Sequence, residues 1–195
     1  MKITEAQEKA KQEFRRIELI RQFSQIDEQT REARVDRYLE VNRQRIIGSH
    51  HFARASTECI DLYRYGHFIA TVMTTQAVNE GIIKFVAERN NINYENMTLS
   101  DLLTNLASQS IFSQDCFEAS DQIRRSFRND VHHMNPPVAK INFPEFAKKN
   151  IHNLAVVERE IWATNFNDGR IIPTYPKYWD INSDGTVPVY LRAGI

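Results

Sequence analysis

Between Phe68 and Arg89 the chain carries apolar residues on almost every side of a helix. Projected at about 100° per residue, Ile69, Val72, Met73, Ile83 and Ala87 share one face. Phe68, Val78, Ile82, Phe85 and Val86 cover much of the opposite side. A helix apolar nearly all round is central to its fold, or shared with a partner. This segment therefore demands other helices around it. Gln76 and Glu80 fall within the first apolar face. A carboxylate there is costly unless paired. Either Glu80 pairs with an arginine of the 124–128 group, or it lies at the rim of the stripe.

The flanking sequence supplies those helices. Residues 1–47 are charge-dense with helical periodicity. Ile3, Ala6, Ala10, Phe14, Ile17 and Ile20 form one stripe; Val35, Tyr38, Leu39, Asn42 and Ile46 form another. Opposite charges recur at i, i+4. The spacing predicts one long helix, or two joined near Ser24–Thr30, laid on the bundle; the stripes are too short to sustain coiled-coil heptads. Gly48–His51 breaks the pattern. Phe52, Ala55, Ser56, Cys59, Ile60 and Tyr63 mark a second helix, and Gly66 fits a C-cap or a tight turn. Thr98 or Ser100 can cap a short helix bearing Leu99, Leu102, Leu103 and Leu106, and Ser113 can cap the next. Asn142–Glu145 reads as a capping box with proline in the first turn. The helix that follows is expected to end near Asn167-Asp168-Gly169. After Arg170 the composition changes, with Pro173, Pro176, Pro188 and several aromatics. A hairpin around Asp184-Gly185 is one reading. The other is an extended strap that docks through Tyr175, Tyr178 and Trp179.

The expected architecture is all-α: an up-and-down bundle of about five helices with an extended C-terminal tail. Residues 1–47 form a charged segment, 48–169 the bundle and 170–195 the tail, in one domain. The 195 residues suffice for a sizeable core. Formal net charge is zero, which argues against general polyanion coating and restricts any nucleic-acid site to a local patch. Cys59 and Cys116 sit within helical apolar patterns, the apolar runs are too short to span a membrane, and no leader is evident. A reducing cytoplasm is the simple reading.

The chemistry concentrates in Arg124–Pro137, which holds three arginines and two histidines before two prolines. Read as one helix from Ser113, it places Cys116, Ser120, Ile123, Phe127, Val131 and Met134 on a core stripe. Arg124, Arg128 and His132 form one outward row, and Arg125, Asn129 and His133 another. Pro136 and Pro137 end the helix. Basic side chains in a last helical turn are also ordinary capping chemistry. His50 and His51 could join His132 and His133 around a metal, but adjacent histidines diverge on a helix and no acidic or cysteine cluster completes a site. No metal or cofactor is expected.

Arg128-Asn129-Asp130-Val131-His132-His133 resembles the signature of the HEPN superfamily: Arg, a polar residue, three more residues, then His. Arg128, Asn129 and His133 match it one by one, in a helical context over roughly residues 50–165. The resemblance implies an all-helical homodimer in which the motifs of two protomers meet in one cleft. It also implies metal-independent RNA cleavage, often in toxin–antitoxin or phage-defence settings. His133 would then be the acid/base and Arg128 the electrostatic stabiliser, with Asn129 orienting the imidazole. Arg124, Arg125 and His132 would bind phosphates without reading bases, and Glu80 would be supporting. An antitoxin or other regulatory protein would be a further partner. Control by modification of a Tyr two residues after the motif His does not fit, because Asn135 stands there. Two rival readings remain: a non-catalytic HEPN-like dimer that binds RNA, a nucleotide or a protein, and a plain helical scaffold with an accidental motif.

Overall fold

A computed structural model describes residues 5–41, 44–133 and 135–192, without the side chains of Arg128, Asn129 and His132. Ile3, Asn42 and Met134, assigned above to apolar stripes, lie outside the described residues. The chain divides into two compact units, Met1–Leu39 and Glu40–Ile195.

The first unit is helical throughout its described length. Helix α1 (Glu5–Glu40) runs unbroken through Ser24–Thr30, so one long helix forms rather than two. Asp27 explains the continuity in part. It pairs with Arg31 at i, i+4 (3.4 Å) and with Arg34 one turn further on, bridging the polar stretch along one side.

The second unit is a mostly helical bundle built around α3 (Phe68–Arg89), as the apolar periphery of that segment requires. Helices α2 (Ala53–Tyr65), α5 (Gln114–Arg125) and α7 (Phe143–Ile161) pack along it, and α4 (Leu99–Ser108) closes one end. Ile82, Ile83, Val86 and Ala87 of α3 are fully buried. Gly66 ends α2 in the left-handed conformation (φ 83°). The Thr98 side chain accepts from Asp101 N to cap α4, and Ser113 does the same for α5 from Cys116 N. Asn142 does not cap α7; its side-chain amide donates to Glu145 instead (3.0 Å).

Two expectations about helix ends fail. Helix α7 stops at Ile161, and Asp168-Gly169 is the turn of a β-hairpin. Strand β2 (Thr164–Asn167) pairs antiparallel with β3 (Arg170–Pro173), in register Asn167↔Arg170. Asp168 (φ 47°) and Gly169 (φ 76°) supply the two positive φ angles a type I′ turn needs. The hairpin signal had been read as a helix terminator, which Gly also provides.

The other failure is the helix expected to carry the motif. It breaks after α5, and a separate six-residue helix, α6 (Arg128–His133), follows. A 3-10 turn spans Pro136–Lys140.

The tail is a strap. Tyr178 and Trp179 are buried while Tyr175 remains exposed. No hairpin forms around Gly185. Strand β4 (Val189–Leu191) instead pairs antiparallel with β1 (Ile46–Gly48), Ile46 facing Leu191. Arg192 then turns inward beside Glu158. Cys59 and Cys116 are free thiols in the core, and burial pushes the pKa of both upward. No helix among the described residues is long and apolar enough to cross a membrane.

Candidate functional site

The break between α5 and α6 is built from buried polar side chains. In a continuous helix the carbonyl of Ser126 would accept from the N–H four residues on. Here the Gln76 side-chain amide on α3 donates to that carbonyl at 2.7 Å. The Ser126 hydroxyl donates to Ile123 O (2.6 Å) and accepts from Gln76 (2.9 Å) and from Asn150 on α7 (2.9 Å). Its one donor and two acceptor positions are all used. Asn150 also donates to Thr75 (3.1 Å). Six residues before Ser126, Ser120 accepts at its carbonyl from the Asn79 side-chain amide (3.0 Å) and donates its hydroxyl to Asn79 (2.7 Å). Gln76, Asn79, Ser120, Ser126 and Asn150 are all buried. These bonds tie Ser120 and Ser126 to α3 and α7 and fix the backbone path there. The Gln76 Oε1 atom is buried and has no hydrogen-bond partner among the described residues.

The break reorganises the motif region. Phe127, expected on the core stripe four residues after Ile123, takes a left-handed conformation (φ 55°) and is 37% exposed. For an L-residue that conformation costs about 1–2 kcal/mol. Its ring packs edge-on with Phe146, centroids 4.8 Å apart. Val131 still reaches the core, and Ser126 takes the buried position that Phe127 vacates.

Arg124 and Arg125 occupy the last turn of α5 and share one carboxylate. Asp121 holds Arg124 at 2.6 Å and Arg125 at 2.8 Å. Together with Phe127, Asp130 and the first turn of α4 at Thr98–Ser100, the two arginines line an open cleft of about 570 Å³. Such a cleft can take an anion with an attached flat or apolar group.

Arg128 and Asn129 begin α6, and His132 and His133 end it. His133 is exposed. The side chains of Arg128, Asn129 and His132 lie outside the described residues. Arg124 and Arg125 come together on Asp121, and the break at Ser126 takes them out of the two rows that a continuous helix would share with Arg128, Asn129, His132 and His133. Glu80 is bound by Lys84 at 2.7 Å, one turn along α3. Arg124 and Arg125 engage Asp121, and the side chain of Arg128, the third arginine of the expected pairing with Glu80, lies outside the described residues. Among the described residues no group of three or more His, Cys, Asp or Glu side chains could hold a metal. His50 instead packs its ring on Phe85 (4.2 Å) and faces Tyr178 O (3.4 Å) and Asp180 (3.7 Å). Burial lowers its pKa.

The sequence reading missed Phe127 as a cleft residue and the polar support beneath it. The available signal was polar residues at core positions: Gln76 within an apolar face of α3, and Ser120 within the stripe of α5. Comparison with family models, with curated proteins and with solved structures finds no match to this chain.

Proposed function

We propose that the protein is a metal-independent endoribonuclease acting through the α6 motif, as a homodimer that joins the motifs of two protomers. The observation that carries this reading is the placement of α6. A helix bearing Arg128, Asn129 and the exposed His133 is set off from α5 beside a cleft lined by two arginines. In the proposed reaction the substrate 2′-hydroxyl attacks the adjacent phosphorus, and a base takes the hydroxyl proton. The bond from phosphorus to the 5′-oxygen breaks, and an acid protonates the leaving oxygen. The products are a 2′,3′-cyclic phosphate and a 5′-hydroxyl, with no oxidant or external nucleophile consumed. Imidazole suits the proton transfers near neutral pH, which assigns His133. Guanidinium suits the charge on the phosphorane oxygens, which assigns Arg128, with Asn129 one turn before His133 to orient its ring. Five residues put Arg128 and His133 about 140° apart on a helix. That divergence favours a site completed by a second copy.

The test is cleavage of single-stranded RNA by the purified chain in EDTA, with product ends analysed. Cyclic-phosphate ends that vanish in Arg128→Ala and His133→Ala are expected. RNA binding without such ends would make the protein a binding module. Equal cleavage by wild type and the double variant would mean the activity belongs to a contaminant.

A further inference from the structure

Four described non-glycine residues have positive φ: Asn91, Ser110, Phe127 and Asp168. Three are small polar residues, two of the kind that tolerate this conformation readily. Phe127 is the exception. A phenyl group in this position would gain more by continuing the helix onto the core stripe, where Ile123 already lies buried. The contacts of Gln76 and Asn150 with Ser126 divert the chain just before it. The diverted ring lines the cleft instead. Phe146 meets it at 89°, and 37% of the residue stays exposed. Beside the ring, Asp121 steadies Arg124 and Arg125, and the Arg125 side chain remains 70% exposed.

An aromatic residue and two guanidiniums on one cleft, whose lining also includes the Asp130 carboxylate, complement a flat ring joined to a phosphate. Nucleobases stack on aromatic side chains, and guanidinium pairs with phosphate through parallel hydrogen bonds. We propose that this cleft holds a single nucleotide, its base stacked on Phe127 and its phosphate on Arg125 and Arg124. The inference rests on the ribonuclease reading for the identity of the polymer, and it adds a base contact where the sequence suggested only phosphate contacts. Stacking tolerates any base, so the contact would seat the chain rather than read its sequence.

The experiment is a titration of the full chain with AMP and, separately, with ribose 5-phosphate, which lacks the base. AMP should bind about tenfold or more tightly, the ordinary gain from one stacked base. The gap should close in Phe127→Leu and persist in Phe127→Tyr. Arg125→Ala should weaken both ligands alike. Equal affinity for the two ligands in wild type, no binding of either, or a gap that survives Phe127→Leu would each overturn the site. If Phe127→Leu does not fold, the wild-type gap and its retention in Phe127→Tyr decide. An AMP gap in a chain that cleaves no RNA would keep this site and remove the ribonuclease reading. Cleavage without the gap would remove this site alone.

Discussion

Two carboxylate–guanidinium clusters of the second unit sit in different surroundings. Glu158 and Arg192 are 2% and 1% exposed. All five N–H donors of Arg192 are engaged: two on Glu158 at 2.6 Å, one on Gln44 O, one on the Ser56 hydroxyl and one on Thr57. Ser56 in turn donates to Glu158. That cluster has no bond left for a ligand, and it fastens the C-terminal strap to α2 and α7. The Asp121 cluster is the reverse. One carboxylate serves two guanidiniums, and Arg125 lies mostly in solvent. The cluster itself carries one excess positive charge, on a cleft whose lining also includes the Asp130 carboxylate. Identical chemistry thus locks the fold in one place and leaves charge available in the other, and burial decides which.

The largest effect expected from this contrast is on stability. Arg192→Met leaves Glu158 charged, buried and unpaired, which costs about 3–5 kcal/mol. For a chain of this size the melting temperature should fall by roughly 6–20 °C. Replacing both partners with apolar residues should recover much of the loss. Asp121→Asn should cost less than Arg192→Met, because Arg125 is 70% exposed and Asp121 and Arg124, at 16% and 21%, keep some contact with water. Similar losses at both clusters, measured by denaturant unfolding, would erase the distinction. A smaller loss, about 1–3 kcal/mol, is expected for Gln76→Leu, which leaves the Ser126 carbonyl buried without its donor. Hydrogen exchange should then quicken across Ser126–His133. Unchanged protection there would mean that Gln76 does not hold the break.

The smallest effect is pH-dependent. Burial holds His50 below its ordinary pKa of 6.5, with Tyr178 O and Asp180 acting in the opposite sense and Arg89 and His51 adding to the lowering. The unfolded chain therefore takes up this proton first as pH falls. Stability is intact above about pH 6.5 and declines over the interval just below it. His50→Gln should flatten the melting temperature over that interval. An unchanged slope would assign the loss to other groups.

How much the sequence revealed follows from periodicity. The two-sided apolar pattern of 68–89 announced a central helix, and Thr98, Ser113 and Gly66 marked ends where the structure has them. Those signals are local. The break at Ser126 was hidden because its cause lies 50 and 24 residues away, in Gln76 and Asn150. Nothing at Ser126-Phe127 itself stops a helix, and a helical projection carries straight through it. The tail strand was hidden for the same reason: Val189–Leu191 finds its partner at Ile46–Gly48, far away in sequence. The Asp168-Gly169 signal was visible but ambiguous, because the same dipeptide ends helices and turns hairpins. The candidate arginines and histidines were legible as a cluster, whereas the cleft and the outward ring of Phe127 depend on tertiary contacts.

The central claim is that His133 serves chemistry and not the fold. The most direct measurement is the single-turnover cleavage rate of His133→Ala beside wild type, with both melting temperatures recorded in the same buffer. The account predicts a rate lower by about 10²–10⁴-fold with the melting temperature unchanged, as befits an exposed side chain. Equal rates for the two proteins, or a wild type that yields no cyclic-phosphate ends, would contradict it.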